Sequence, residues 1–168
     1  WEDFVQAVFI RYMTGAPSPK GYRPDLRLGP CGTLRHAVEI LTGRPGFDLT
    51  SRYLSWTKWS EVTSLASLHF VKGRPFSNIN TDLVQALNDG HVIRNRVAHS
   101  SRKAREDFLK VARRFLGLAG SAKTAQGYDV GTLLLETNVR GFAHLDRAGD
   151  YFLQYCRMYT HLSEIVCP

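Results

Sequence analysis

Apolar residues in this chain of 168 residues recur every three to four positions, and the alternation typical of strands is nearly absent. In the first fourteen residues, Val5, Phe9 and Tyr12 fall on one helical face. Similar stripes cover five further segments, residues 33–43, 50–72, 81–98, 101–117 and about 143–165. This periodicity predicts an all-α fold, a bundle of about five or six helices that forms a single domain over residues 1–168.

Turn-forming residues divide these segments. The Gly- and Pro-rich stretch at 15–32 predicts a long loop near the N-terminus, and such loops are often functional or mobile. The segment "TLLLETNV" at 132–139 fits either a short helix or a strand. The last helix is expected to begin near Ala143 or Arg147 and to end at Ile165. Its predicted inner face comprises Phe152, Tyr155, Cys156, Tyr159, Leu162 and Val166.

Composition and residue spacing bear on three classes of partner: polyanions, metal ions and membranes. The net charge of +7 slightly favours a polyanionic partner. The six histidines and three cysteines have no metal-ligand spacing, so neither a metal nor another cofactor is expected. No apolar run reaches the roughly 18 residues of a membrane span, and a cytoplasmic location without membrane partners is predicted.

One polar stretch, "IRNRVAHSS" at 93–101, interrupts two amphipathic segments. Arg94, Asn95 and His99 form an Arg-Asn-x3-His pattern, which this composition would produce by chance only about 0.02 times. Residues five apart on an ideal helix differ by about 140° in azimuth, so Arg94 and His99 would not share a face. They can act on one group only if the helix ends near Ala98.

These residue types suit metal-free cleavage of RNA, in which the 2′-hydroxyl attacks the neighbouring phosphate. His99 can serve as base or acid at neutral pH, and Arg94 can hold phosphate oxygens. Asn95 can orient the imidazole or a phosphate oxygen. The predicted substrate-binding residues are Arg96, Ser100, Ser101 and Arg102. A new helix capped by either serine would also point its backbone N–H groups at the phosphate.

A base and an acid together call for two histidines, and the motif of one chain holds one. A two-fold homodimer that faces two motifs across a shared cleft would supply the second.

The stretch "RNRVAH" resembles the Arg-x(4–6)-His signature of HEPN domains, with Arg94 and His99 at the signature positions and Asn95 at the polar position after the arginine. "WEDFV" at the start and the "PF" of "GRPFSNIN" are similar to the bacterial RiboL-PSP-type HEPN group. The resemblance implies a helical, metal-independent endoribonuclease that acts as a dimer. It also implies a role as a toxin or antiviral-defence effector, with an antitoxin or immunity protein as partner.

One position departs from a related pattern. HEPN toxins paired with a nucleotidyltransferase often carry a tyrosine two residues after the histidine, where this chain has Ser101. That departure argues against control by nucleotide transfer to such a tyrosine.

Other interpretations stay open. His99 could be a cation at a helix C-terminus, and Arg94 and Arg96 could be solvated surface charges. The alternative function is a non-catalytic HEPN-like binding or regulatory module.

Overall fold

A computed structural model describes residues 1–46, 56–120, 122–140, 142 and 148–168. Seven α-helices lie in these ranges: α1 Glu2–Met13, α2 Leu34–Thr42, α3 Trp59–His69, α4 Thr81–Ala98, α5 Arg102–Leu116, α6 Val130–Leu134 and α7 Tyr151–Val166. Two 3₁₀ turns follow α3, and the same ranges contain one isolated antiparallel bridge but no strand. The predicted all-α class is confirmed. The helices outnumber the expected five or six partly because "TLLLETNV" overlaps a short helix, α6.

Two compact units make up the chain. The first comprises Trp1–Ile79 and His161–Pro168, and the second comprises Asn80–Thr160. Helix α7 belongs to both, since it begins in the second unit and ends in the first. The assignment of residues 1–168 to a single domain stays a prediction.

Phe9 occupies the centre of the first unit. Its ring lies 4.8 Å from Phe76, 4.9 Å from Phe70 and 5.2 Å from Trp56, measured between centroids. Ring pairs at these separations add to the stabilisation from burial alone. The predicted inner face of α1 thus packs, through Phe9, against aromatic rings from other segments of the unit.

The long loop at 15–32 contains no helix, as predicted, and backbone hydrogen bonds tie it to its own unit. The N–H of Cys31 donates to the carbonyl of Met13 at 2.7 Å, and the N–H of Arg27 donates to the carbonyl of His69 at 2.9 Å. Leu26 pairs with Phe70 in the isolated bridge. The loop is thus joined to the ends of α1 and α3.

Helices α4 and α5 form a hairpin in the second unit. Their buried faces include Leu83, Leu87 and Ile93 from α4, and Phe108 and Phe115 from α5. Only three residues connect the two helices, and such a short connection makes neighbouring helices antiparallel.

Gly90 lies where α4 approaches α7. A Cβ atom at this position would lie 2.9 Å from the hydroxyl oxygen of Tyr159 and 3.1 Å from the Cε1 atom of Tyr155. The absence of a side chain therefore permits the close approach of these two helices, which explains a glycine in the interior of α4.

The last helix differs from its prediction at its start and on one face. Helix α7 begins at Tyr151, after Gly149 with a φ of 95°, so the helix does not continue back from there; residues 143–147 lie outside the described ranges. Phe152 and Cys156, expected inside, are exposed. Tyr155, Leu162 and Val166 are buried as expected.

The segment at 50–72, predicted as one long helix or two short ones, is described by the structure from residue 56 onwards. Helix α3 begins at Trp59, and Trp56 is buried in the non-helical stretch before it. Tyr53 and Leu54, which belong to the same stripe, lie outside the described residues.

Candidate functional site

Helix α4 ends at Ala98 and α5 begins at Arg102, so the predicted motif lies at a junction between two helices. His99 caps α4 with an extended backbone, at φ −134° and ψ 127°. Its N–H still donates to the carbonyl of Asn95 at 2.9 Å. Helix α4 therefore ends at Ala98, which is the condition under which Arg94 and His99 can act on one group.

The two residues predicted to be central to catalysis are both exposed to solvent. Arg94 lies in the last turns of α4, and His99 is the first residue beyond it. Among the described hydrogen bonds, that of Arg94 runs from Nη1 to Oδ1 of Asn95 at 3.4 Å, a long contact. The junction thus presents a guanidinium and an imidazole to solvent without a described hydrogen bond between them.

Asn95 is placed differently from the sequence interpretation. Its side-chain nitrogen lies 2.8 Å from Nε2 of His91, one turn earlier on α4. The described contacts of its amide are to His91 and Arg94 and not to the His99 imidazole, and the alternative contact with a phosphate oxygen stays a prediction. His91 was not among the predicted site residues, although its spacing of four residues from Asn95 puts the two side chains on one helical face.

Arg96 is half-buried and donates a hydrogen bond to the backbone of the junction. Its Nη1 donates to the carbonyl oxygen of His99 at 3.3 Å. Hydrogen bonds from Thr132 hold the pKa of Asp129 below its usual range, and the charge of Arg96 adds to that effect. Arg96 therefore supports the backbone at the end of α4 and lies close to the acidic cap of α6.

The beginning of α5 contributes the remaining predicted residues, all exposed. The Ser101 hydroxyl oxygen accepts from the N–H of Ala104 at 3.2 Å and caps the helix, while Ser100 precedes it. Because the hydroxyl accepts there, its own hydrogen can still be donated to an anion. Arg102 donates to Glu106 at 2.7 Å, so its guanidinium is shared with a carboxylate of the same helix.

A polar cluster around one buried carboxyl, that of Asp89, connects the same two helices further along. Asp89 of α4 is paired with Arg114 of α5 and accepts a hydrogen bond from Gln85 at 3.0 Å. Burial raises the pKa of Asp89, and the interactions with Arg114 and Gln85 only partly oppose that effect. The Asp89 side chain is 6% exposed and that of Arg114 is 50% exposed, so water screens the cation while the carboxylate has lost its hydration.

Two classes of site have no counterpart in the described ranges. No group of three or more His, Cys, Asp or Glu side chains there could hold a metal ion. None of the helices in those ranges combines the length and apolar character that crossing a membrane requires.

No family model matches this chain, and no curated protein or solved structure matches it at significant similarity. The likeness to HEPN domains therefore rests on the residues of the motif and on their helical setting.

Proposed function

We propose that this chain is a metal-independent endoribonuclease of the HEPN type. The observation that carries the proposal is the end of α4 at Ala98, three residues before α5 begins, with both Arg94 and His99 exposed. A phosphate at this junction would meet a guanidinium, an imidazole and the N-terminus of a helix, three groups that favour an anion.

The reaction would be an internal transfer. The 2′-hydroxyl attacks the adjacent phosphorus, a bond forms between O2′ and phosphorus, and the bond from phosphorus to the 5′-oxygen breaks. A base takes the 2′-hydroxyl proton and an acid supplies a proton to the leaving oxygen, which gives a 2′,3′-cyclic phosphate and a 5′-hydroxyl. Arg94 would neutralise the charge on the phosphoryl oxygens, and His99 would transfer a proton.

A homodimer belongs to this proposal because the junction of one chain presents one exposed imidazole. Val97, three residues after Arg94 on α4, is an apolar side chain that is 72% exposed on the same side of the helix. Contact with a second copy would cover it and bring two motifs together. By the resemblance, the substrate is cellular or viral RNA, and an antitoxin or immunity protein restrains the enzyme in the cytoplasm.

The decisive test is an assay on single-stranded RNA in the presence of EDTA. The protein should cut the RNA and leave 2′,3′-cyclic phosphate or 3′-phosphate ends. His99→Ala should reduce the rate by at least about a hundredfold. His36→Ala, at an exposed histidine of α2, is the matched control and should cut like the wild-type chain. Equal rates for His99→Ala and the wild type, with unchanged circular dichroism, would reject the proposal.

A second candidate is a non-catalytic HEPN-like binding or regulatory module. It is favoured by the intrachain partners of two predicted substrate-binding residues, since Arg96 donates to His99 and Arg102 to Glu106, and both guanidinium groups are thereby engaged within the chain. Such a module would leave single-stranded RNA uncut in the same assay. The gene neighbourhood separates the two as well: an adjacent small antitoxin gene favours the toxin, and a fused effector domain favours the module.

A further inference from the structure

His91 is a half-buried residue of α4 to which the proposed reaction assigns no part. Its Nε2 lies 2.8 Å from the side-chain nitrogen of Asn95, and the side-chain oxygen of Asn95 lies 3.4 Å from Nη1 of Arg94. The three side chains therefore form a chain of contacts that ends at the guanidinium of the motif.

The chemistry of the three groups determines the direction of these contacts. A guanidinium can only donate, so the amide of Asn95 must turn its oxygen towards Arg94. The amide nitrogen then faces His91, and because that nitrogen is also a donor, Nε2 of His91 must accept. A neutral His91 with its hydrogen on Nδ1 is the form that satisfies both contacts. Rotation of the amide by half a turn would instead set its NH₂ group against the guanidinium.

We propose that His91 is a positioning residue for the motif, and this inference rests on the proposed endoribonuclease function. His91 holds the Asn95 amide in one orientation, with the amide oxygen turned towards Nη1 of Arg94 at 3.4 Å. The same Asn95 accepts the N–H of His99 through its backbone carbonyl at 2.9 Å. An acceptor at position 91 thus aligns the cation that must meet the phosphate in the transition state.

The first experiment compares His91→Leu with His91→Gln. Leucine fills a similar space without an acceptor, whereas the glutamine oxygen can accept from an asparagine four residues later on a helix. His91→Leu should lower kcat about tenfold, the effect of one lost hydrogen bond, with a smaller change in KM. His91→Gln should restore kcat to within about threefold of the wild type. His36→Leu controls for loss of a histidine and should have no effect.

The second experiment does not depend on catalysis. The ¹⁵N chemical shifts of the His91 ring, identified by their loss in His91→Leu, show which ring nitrogen carries the hydrogen. At alkaline pH the wild-type spectrum should show an unprotonated Nε2, and Asn95→Leu should shift the tautomer towards the Nε2–H form.

The outcomes separate this inference from the proposed function. Ring shifts that respond to Asn95→Leu in a protein that cuts no RNA would reject the nuclease and support the contact. A nuclease in which His91→Leu cuts like the wild type would overturn the positioning role and leave the function standing. Equal loss of kcat in His91→Gln and His91→Leu would also overturn it, because an acceptor would then be insufficient.

Discussion

The backbone N–H of His99 donates to the carbonyl oxygen of Asn95 at 2.9 Å, although His99 itself has left the helical conformation. Asn95 therefore contacts both halves of the motif, through its carbonyl to His99 and through its side chain to Arg94. The end of α4 is held by a regular helical bond while the imidazole projects beyond the helix. This arrangement keeps His99 near a fixed backbone and leaves its ring open to a ligand.

Mixed dimers test whether two motifs act together. Wild-type chains are allowed to exchange with His99→Ala chains, and RNA cutting is measured against the wild-type fraction at constant total protein. If both histidines are required, activity falls with the square of that fraction, to about a quarter in an equal mixture. A decline in simple proportion to the fraction would show that each chain cuts alone.

The matched control for this mixture is His36→Ala, which lies in α2 and outside the motif. Mixing wild-type chains with this variant should leave activity constant at every ratio. Light scattering on the same mixtures should give twice the mass of one chain. A monomer at the working concentration would contradict the dimer irrespective of the activity curve.

The helix ends of the junction were predictable because they depend on local chemistry. Ser101, one of the two serines expected to cap α5, does so through its hydroxyl, and Gly117 ends the helix with a φ of 67°. Thr33 and Gly43 bound α2 in the same way. In each case the residue that predicts the helix end lies within four residues of that end.

The features that the sequence did not predict depend on contacts between distant segments. Phe152 has the helical spacing of a core residue, yet its exposure is 58%, because the packing partners of α7 decide which face is covered. The pairing of Asp89 with Arg114 joins residues 25 positions apart in the chain. The contact of His91 with Asn95 differs from these, because a spacing of four residues on one helix could have predicted it from the sequence.

The pH dependence of RNA cutting is a second test of the proposed reaction. Because one imidazole must accept a proton and the other must donate one, kcat should follow a bell-shaped curve with its maximum near neutral pH. The measurement is the cutting rate at saturating RNA in EDTA across the pH range. A rate that rises roughly tenfold per pH unit up to about pH 9, or one that requires Mg²⁺, would indicate a different mechanism.

The buried carboxyl of Asp89 predicts a pH dependence of stability. Its pKa is raised above the ordinary 3.8, so the folded chain binds its proton more tightly than the unfolded chain does. Between the pKa of Asp89 in the unfolded chain and its higher pKa in the folded chain, the contribution of Asp89 to the free energy of unfolding falls as the pH rises. Asp89→Asn cannot titrate, so its stability relative to the wild type should increase across this window and level off above it.

The measurement is urea unfolding of both proteins at a series of pH values. Asp107→Asn is the control of opposite sign, because hydrogen bonds from Lys103 and Lys110 lower the pKa of Asp107. The stabilisation that Asp107 provides is present above pH 3.8 and is lost as the pH falls through its lowered pKa. A difference between wild type and Asp89→Asn that stays constant with pH would contradict the assigned role of burial.

The hydroxyl of Tyr151 should contribute measurably to the stability of the second unit. It donates to the carbonyl of Phe115 at 3.1 Å and accepts from the N–H of Arg140 at 2.7 Å, while its ring stacks on Phe115 with centroids 4.7 Å apart. Tyr151→Phe keeps the stacked ring and leaves two backbone groups unsatisfied, so the free energy of unfolding should fall by about 1–3 kcal/mol.

Tyr155→Phe on the same helix is the control, because the buried hydroxyl of Tyr155 has no hydrogen-bond partner among the described residues. Its removal should change stability by less than about 0.5 kcal/mol or increase it. Urea unfolding measures both variants, and an equal loss in the two would show that removal of the hydroxyl itself, and not the loss of the hydrogen bonds of Tyr151, determines the effect.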